Sequence, residues 1–379
     1  MKYVIIIAFF CYTKSLAQNM ERVLHVIDSL CSSQMHGRGY THAGDKKAAK
    51  FIASHFQKAG LLPFQKNYFQ EFPITVNTFA RPMRLKIGKQ LLREGIDYLP
   101  HPACPAGKGK FVLLIKDSLV LYHPKGEIWL TDKLVHRLED EQNDAPRFII
   151  RKDIFWEAVQ KSKKFSFKIQ PKLQKDYITQ NVIGYVRGKE VPDSFLVFTA
   201  HYDHLGDLGK VYFAGANDNA SGVAMLLELA YYFAQNPMRY SVAFMAFGAE
   251  EIGLLGSLFY TENPYFPLQN IRFLLNLDLF GTGEGGTTAV NGLVFTEEFQ
   301  LLHHINNEYN YLTYIGARGK APNSDHYYFS EKGVKSFFLY LQGDSWKHYH
   351  HIDDKPPLPL SGFQSAFQLI KTFAQRLGD

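Results

Sequence analysis

Two kinds of apolar pattern divide this chain. From Met20 to Ser32, residues Val23, Leu24, Ile27, Leu30 and Cys31 share one stripe at helical spacing. Lys46 to Ala59 repeats that spacing through Ala49, Ile52 and Phe56, and Gly60 ends it. Phe69 to Phe79 reads as a strand. From Asn181 onward the pattern changes to short, unbroken apolar runs. NVIGYV (181–186) and FLVFTA (195–200) are predicted strands paired through the GKEVPD turn. SVAFMAF (241–247), FLLNLDL (273–279) and SFFLYL (336–341) are further predicted strands. Helices are predicted between them over Ser221–Gln235, Glu251–Tyr260 and Glu297–Tyr309, and at the end over Phe363–Leu377. Apolar strands alternating with helices predict an α/β fold, its central sheet mostly parallel and flanked by helices on both faces.

Between these regions the texture differs. Residues 80–180 carry brief apolar runs, among them EIWLT and RFII, broken by charged and Gly/Pro turns. They read as a β-rich insertion with a helix near Ile154–Ser162. The expected organisation is therefore residues 1–17 as a signal peptide, 18–79 as the first part of the main domain, 80–180 as the insertion and 181–379 as the core. The signal peptide rests on Lys2, a short apolar core from Tyr3 to Tyr12 and the small-residue site Ser15-Leu16-Ala17. That core is about half the ~20 residues a membrane span needs. It predicts cleavage near Ala17/Gln18 and a secreted or periplasmic protein, and no later stretch is long and apolar enough to span a membrane.

Composition narrows the field of functions. With 46% hydrophobic and 21% charged residues the chain is an ordinary globular one. Its formal charge of +6 includes Lys2 and Lys14, leaving 40 basic against 36 acidic residues after cleavage. This weak and scattered excess does not suggest nucleic acid. Beyond residue 17 only Cys31 and Cys104 remain, too few for a disulfide framework, and two buried thiols are expected.

The candidate chemistry lies at strand ends. His201 follows FLVFTA, Glu250 and Glu251 follow SVAFMAF, and Asp278 lies near the end of FLLNLDL. Open α/β sheets build their sites beyond the carboxyl ends of the strands. Asp203 stands close behind His201, and Asp218 opens the next helix. Singly, each has an ordinary explanation: a loop histidine, an N-cap, glutamates offsetting a helix dipole. Together they would crowd carboxylates at one edge, which calls for a cation. Imidazole and carboxylate suit zinc. Two metals can share a bridging carboxylate and activate a water. Of the adjacent Glu250 and Glu251, one can bind metal while the other carries a proton.

The segments HYDH, GANDNASG, FGAEEIGLLGS, NLDLFG, NSDHYYF and YHHIDD, in that order between Phe195 and Asp354, resemble the zinc aminopeptidase family of bacterial leucyl aminopeptidases. GRGYTHAGDKKAAKFIASHF resembles its N-terminal helices. The same fold includes glutamate carboxypeptidase, glutaminyl cyclases and the catalytically silent transferrin receptor. The resemblance implies two zinc ions per chain, His201 and Asp278 on one, Glu251 and a C-terminal histidine on the other, with Asp218 bridging. It implies Glu250 as general base, Asp203 as the residue orienting His201, and a cis peptide at Asp218–Asn219. WKHYHHIDD offers His348, His350 and His351, and the family's Asp four residues after the ligand selects His350 with Asp354. His204 has no motif role, and His303 and His304 lie on a helix away from the motifs.

In two places the chain departs from the family. Some relatives have a tyrosine before Ser-Asp-His where this chain has Asn323, so Asn323, Tyr327 or Tyr328 is left to donate the oxyanion hydrogen bond. The 80–180 insertion is only faintly similar to a protease-associated domain. The implied function is an exported di-zinc aminopeptidase acting on peptides. A glutaminyl cyclase with a single zinc is the enzymatic alternative and a non-catalytic receptor the other. The intact GANDNASG run speaks against the first, and the filled ligand positions against the second.

Overall fold

The computed structural model describes residues 18–114 and 119–378; the predicted signal peptide, residues 1–17, lies outside them. Among the described residues, eight strands form the central sheet: β1 (Phe69–Thr78), β2 (Lys172–Val186), β3 (Val191–His201), β4 (Tyr240–Phe247), β5 (Ile271–Leu277), β6 (Thr287–Val290), β7 (Ile315–Arg318) and β8 (Ser336–Leu341). Their order is β1-β2-β4-β3-β5-β8-β6-β7. The middle strands β4, β3, β5 and β8 run parallel. β1 and β2 join antiparallel on one side, as β6 does against β8 on the other.

The sheet is thus mixed, not mostly parallel as the apolar runs suggested. Such runs report burial on both faces and carry no information on direction. Nor do β2 and β3 form a hairpin: β4 lies between them, antiparallel to β2 and parallel to β3. The turn that was expected to pair them instead passes over the start of β4. There a Cβ on Gly188 would come within 2.5 Å of the Tyr240–Ser241 backbone, so only glycine fits.

Every residue of β4 is buried, and successive side chains face opposite sides of the sheet. Val242, Phe244 and Ala246 join a core with helices Met20–Leu30, Gly44–Ala59, Ser221–Gln235 and Phe363–Gly378, while Ala243, Met245 and Phe247 face Tyr260 and Phe329 on the other side. Helices therefore cover both faces, and each fully buried Phe or Leu contributes roughly 1.5–3 kcal/mol. The predicted helix Glu251–Tyr260 begins only at Leu255. Gly253 and Leu254 hold φ of 102° and 60°, and the turn they make frees the Glu250 and Glu251 amides for another partner. The short strands β6 and β7 lack a strong period and escaped notice in the sequence.

Residues 80–180 contain two four-stranded sheets and the helix Lys152–Lys161. Their shared core (Leu85, Ile87, Phe148, Phe155, Phe165, Phe167) also takes in Leu205, Leu208 and Phe213 from the loop after β3. Cys104 is buried there and Cys31 in the main core, both as free thiols, and burial pushes each up to about 12. One correction to the charge reading follows from the strand registers. Arg84 and Lys108 flank Lys168, and Lys86 and Lys110 flank Ser166, so five cations gather on one sheet face, with no ion-pair partner among the described residues. The basic excess is not scattered.

Candidate metal centre

The carboxyl ends of β3, β4, β5 and β8 meet at one edge. His201 is the last residue of β3, Asp278 follows β5, Glu250 and Glu251 lie in the turn after β4, and His350 sits in the loop after β8. His201 Nε2 lies 3.3 Å from Asp218 Oδ1 and 3.4 Å from Asp278 Oδ1. His350 Nε2 lies 3.2 Å from Asp218 Oδ2 and 3.1 Å from Glu251 Oε2. Asp218 thus faces both imidazoles, one through each oxygen. His348 and His351 do not reach these carboxylates; His351 instead sits 3.4 Å from Asp353. His303 is on a remote helix beside Asn307.

These distances test whether the residues fit a metal. Ligand atoms ~2.0–2.2 Å from one zinc are about 3–3.5 Å from each other. An imidazole nitrogen carries at most one hydrogen, so it cannot satisfy two carboxylates at once. Asp218 Oδ2 and Asp278 Oδ1, both buried, have no hydrogen-bond partner. No lysine or arginine among the described residues pairs with any of the five carboxylates at 203, 218, 250, 251 and 278. The field they create is strong: against the effect of burial, Glu250 and Asp278 hold His201 well above the ordinary imidazole range, and Glu251 and Asp218 do so for His350. The donor set fits two divalent cations. His201 with Asp218 and Glu251, and His201 with Glu250 and Asp278, are both tight enough to close around an ion.

The surrounding shell fixes these groups. Asp203 Oδ1 accepts the Glu250 N–H (3.1 Å), and Oδ2 accepts the Glu251 N–H (3.3 Å) and the Tyr40 hydroxyl (2.8 Å). Toward His201 Nδ1 the Asp203 carbonyl is nearer (3.3 Å) than its carboxylate (3.8 Å). Asp354 accepts the main-chain N–H groups of Asn217 (2.8 Å) and Asp218 (3.0 Å), which gives physical content to the spacing that singled out His350. The Asp218–Asn219 peptide is cis. Ser324 donates to Asp278 Oδ2 at 3.1 Å.

Several contributors were invisible in the sequence. Arg38, fully buried, donates to the carbonyls of Leu30, Tyr202, Ala214, Gly215 and Asp218, knitting the site loops together from what reads as a polar, glycine-containing turn. His204 lies 2.6 Å from Glu251 Oε1. The insertion supplies His136, whose carbonyl is 3.0 Å from His350 Nδ1 and whose N–H donates to the His350 carbonyl, also at 3.0 Å. Tyr349 stacks on His350 with ring centroids 3.9 Å apart. Apart from Tyr349, the sequence neighbour of His350, these groups meet the site across loops distant in the chain, and nothing near them in sequence signals the contacts. Asn323, by contrast, is exposed, and Tyr327 and Tyr328 pack on one another.

Two buried imidazoles near the site make stability depend on pH. Burial lowers His136 and His326 to about 3. The unfolded chain, with ordinary values near 6.5, then binds these protons first. Stability present above pH ~6.5 is therefore lost as pH falls toward 3, by about 2 kcal/mol per histidine between pH 7 and 5. His201 and His350, held above the ordinary range, contribute with the opposite sign over this window, so the loss is read as the difference between wild type and variant in urea denaturation of metal-free protein at the two pH values. His326→Phe should reduce it by about one histidine's share; an unchanged difference would contradict a neutral buried His326.

Comparisons agree with this geometry. A family model described as Peptidase family M28 matches residues 181–374. Aminopeptidase YwaD of Bacillus subtilis is 32% identical over 270 residues, 63% of this chain, and the chain spans 57% of that relative's length. Among solved structures, BSAP, a zinc aminopeptidase from Bacillus subtilis, superposes with a TM-score of 0.72 at 21% identity, covering 96% of both chains. An aminopeptidase from Aneurinibacillus sp. strain AM-1 gives 0.66 at 17% identity, covering 95% of this chain and 94% of its own.

Proposed function

Because the chain belongs to peptidase family M28, we propose that it is a two-zinc aminopeptidase that removes N-terminal residues from peptides. The observation that carries this reading is the pair of buried imidazoles, His201 and His350, each set between two carboxylates and joined through Asp218. In this reading His201 and Asp278 hold one zinc, His350 and Glu251 the other, and Asp218 both. Two zinc ions there would polarise the scissile carbonyl and make water a competent nucleophile near neutral pH.

The protein's own groups do the rest. Glu250 takes the proton of the attacking water and delivers it to the departing amine. In the metal-free protein burial, with Glu251 and Asp325 nearby, holds its carboxyl well above the usual carboxylate range even against the attraction of His201. Asp203 is a positioning residue: by clasping the two amides it sets Glu250 toward the substrate and Glu251 toward the metal. The 80–180 segment is read as a wall on the site, through His136 and the core it shares with the loop after β3. Residues 18–79 and 181–379 form the peptidase body. Export by a signal peptide over residues 1–17 belongs to the same proposal.

The test is to count zinc in the purified mature protein and assay aminoacyl anilides alongside a peptide with N-terminal glutamine. Two zinc ions and release of the amino acid are expected. Near one zinc with pyroglutamate formation would instead make it a glutaminyl cyclase.

A further inference from the structure

A second group of ligand-type side chains lies outside the centre described above. His36 Nδ1 and His42 Nδ1 stand 3.1 Å and 2.9 Å from a single atom, Asp207 Oδ2. The Thr41 hydroxyl donates to that same oxygen at 2.7 Å. A carboxylate oxygen offers about two lone-pair positions, so three hydrogen-bond donors exceed what it can accept. The spacing also has another meaning. The separations of 3.1 Å and 2.9 Å between each imidazole nitrogen and the carboxylate oxygen match the edges of a coordination shell with bonds of ~2.0–2.2 Å, and all three atoms lie within 4.8 Å of one another. The rings lie 4.5 Å apart at 35°, turned toward the shared oxygen rather than stacked flat.

We propose that His36, His42 and Asp207 form a separate site for a divalent metal of the zinc type, which fastens the 36–43 loop to the loop after β3. Two imidazoles and one carboxylate favour zinc and its late first-row neighbours over calcium or magnesium, which prefer oxygen alone. Asp207 is mostly buried, whereas His42 is more than half exposed, so water completes the shell on the open side. Both joined segments reach the peptidase centre: Tyr40, in the first, donates to Asp203 in the second. Between the loops, Gly39 and Gly206 pack so closely that a Cβ on Gly39 would lie 2.4 Å from the Gly206 Cα. The metal acts on structure, holding Tyr40 against Asp203, and takes no part in proton transfer.

The experiment is a zinc titration of the full mature protein, with bound zinc per chain read by mass spectrometry and Tm read alongside. His42→Ala and Asp207→Asn are compared with wild type at a free zinc level that saturates the wild type. Each variant should bind one zinc fewer than wild type and lose part of the zinc-dependent rise in Tm. Equal zinc counts in wild type and both variants, with both variants folded by circular dichroism, would overturn the proposal. Because the readout is a difference of one, it stands apart from the occupancy of the buried centre. Failure of the two-zinc reading would change the total in all three proteins alike.

Discussion

Glu250→Gln is expected to lower kcat by roughly 10²–10⁴-fold, the usual contribution of a positioned general acid–base group. Zinc content should stay at the wild-type value. The substitution is nearly isosteric and keeps the Glu250 N–H bonded to Asp203, so the turn after β4 retains its shape. Glutamine can donate and accept hydrogen bonds but cannot take the proton of the attacking water. KM should change little, since the loss falls on a group used in the transition state. Steady-state kinetics on an aminoacyl anilide, paired with metal analysis of the same sample, checks both halves. Retained activity would remove Glu250 from the base role.

Asp218→Ala is expected to be more severe, abolishing hydrolysis (at least about 10⁴-fold, the top of what proton transfer alone contributes) and reducing bound zinc from two to at most one. Among the described residues Asp218 alone places carboxylate oxygens within 4.0 Å of both His201 and His350, so its loss removes the ligand the two positions share. The effect on stability should have two parts. Metal-free protein should lose Tm, because Asp218 is the anionic partner of two buried imidazoles and its removal leaves them under-compensated. Zinc-loaded protein should lose the rise in Tm that binding gives the wild type. A variant that binds as many zinc ions as the wild type would show that Asp218 does not bridge.

How much of this was legible in the sequence depended on the range of the interaction concerned. Helices with long amphipathic stripes, such as Ser221–Gln235, appear over the residues their periodicity marked. The strand-end positions of His201, Glu250, Glu251 and Asp278 were legible because a strand end fixes a residue's place with only local information. Strand direction and order were not legible: β4 entering between β2 and β3 is a long-range pairing that local pattern cannot encode. The delayed helix at Leu255 was missed for a related reason. Residues 251–254 satisfy a helical pattern, but Asp203 from a distant loop claims the amides of Glu250 and Glu251, and Gly253 and Leu254 turn with positive φ. Arg38 is the extreme case. A buried arginine bonded only to main-chain carbonyls leaves the same sequence trace as a solvated one.

The two hydrogen bonds between His136 and His350 have a consequence for how the protein matures. They join residues 214 positions apart, one in the insertion and the other near the end of the chain. A fragment of residues 181–379 would contain every side chain proposed for the buried two-metal centre, yet lack the His136 carbonyl that faces the His350 ring nitrogen. The insertion precedes His350 in synthesis, so both hydrogen bonds form only after the last part of the chain has emerged. The setting of that ring is thereby a late step of assembly.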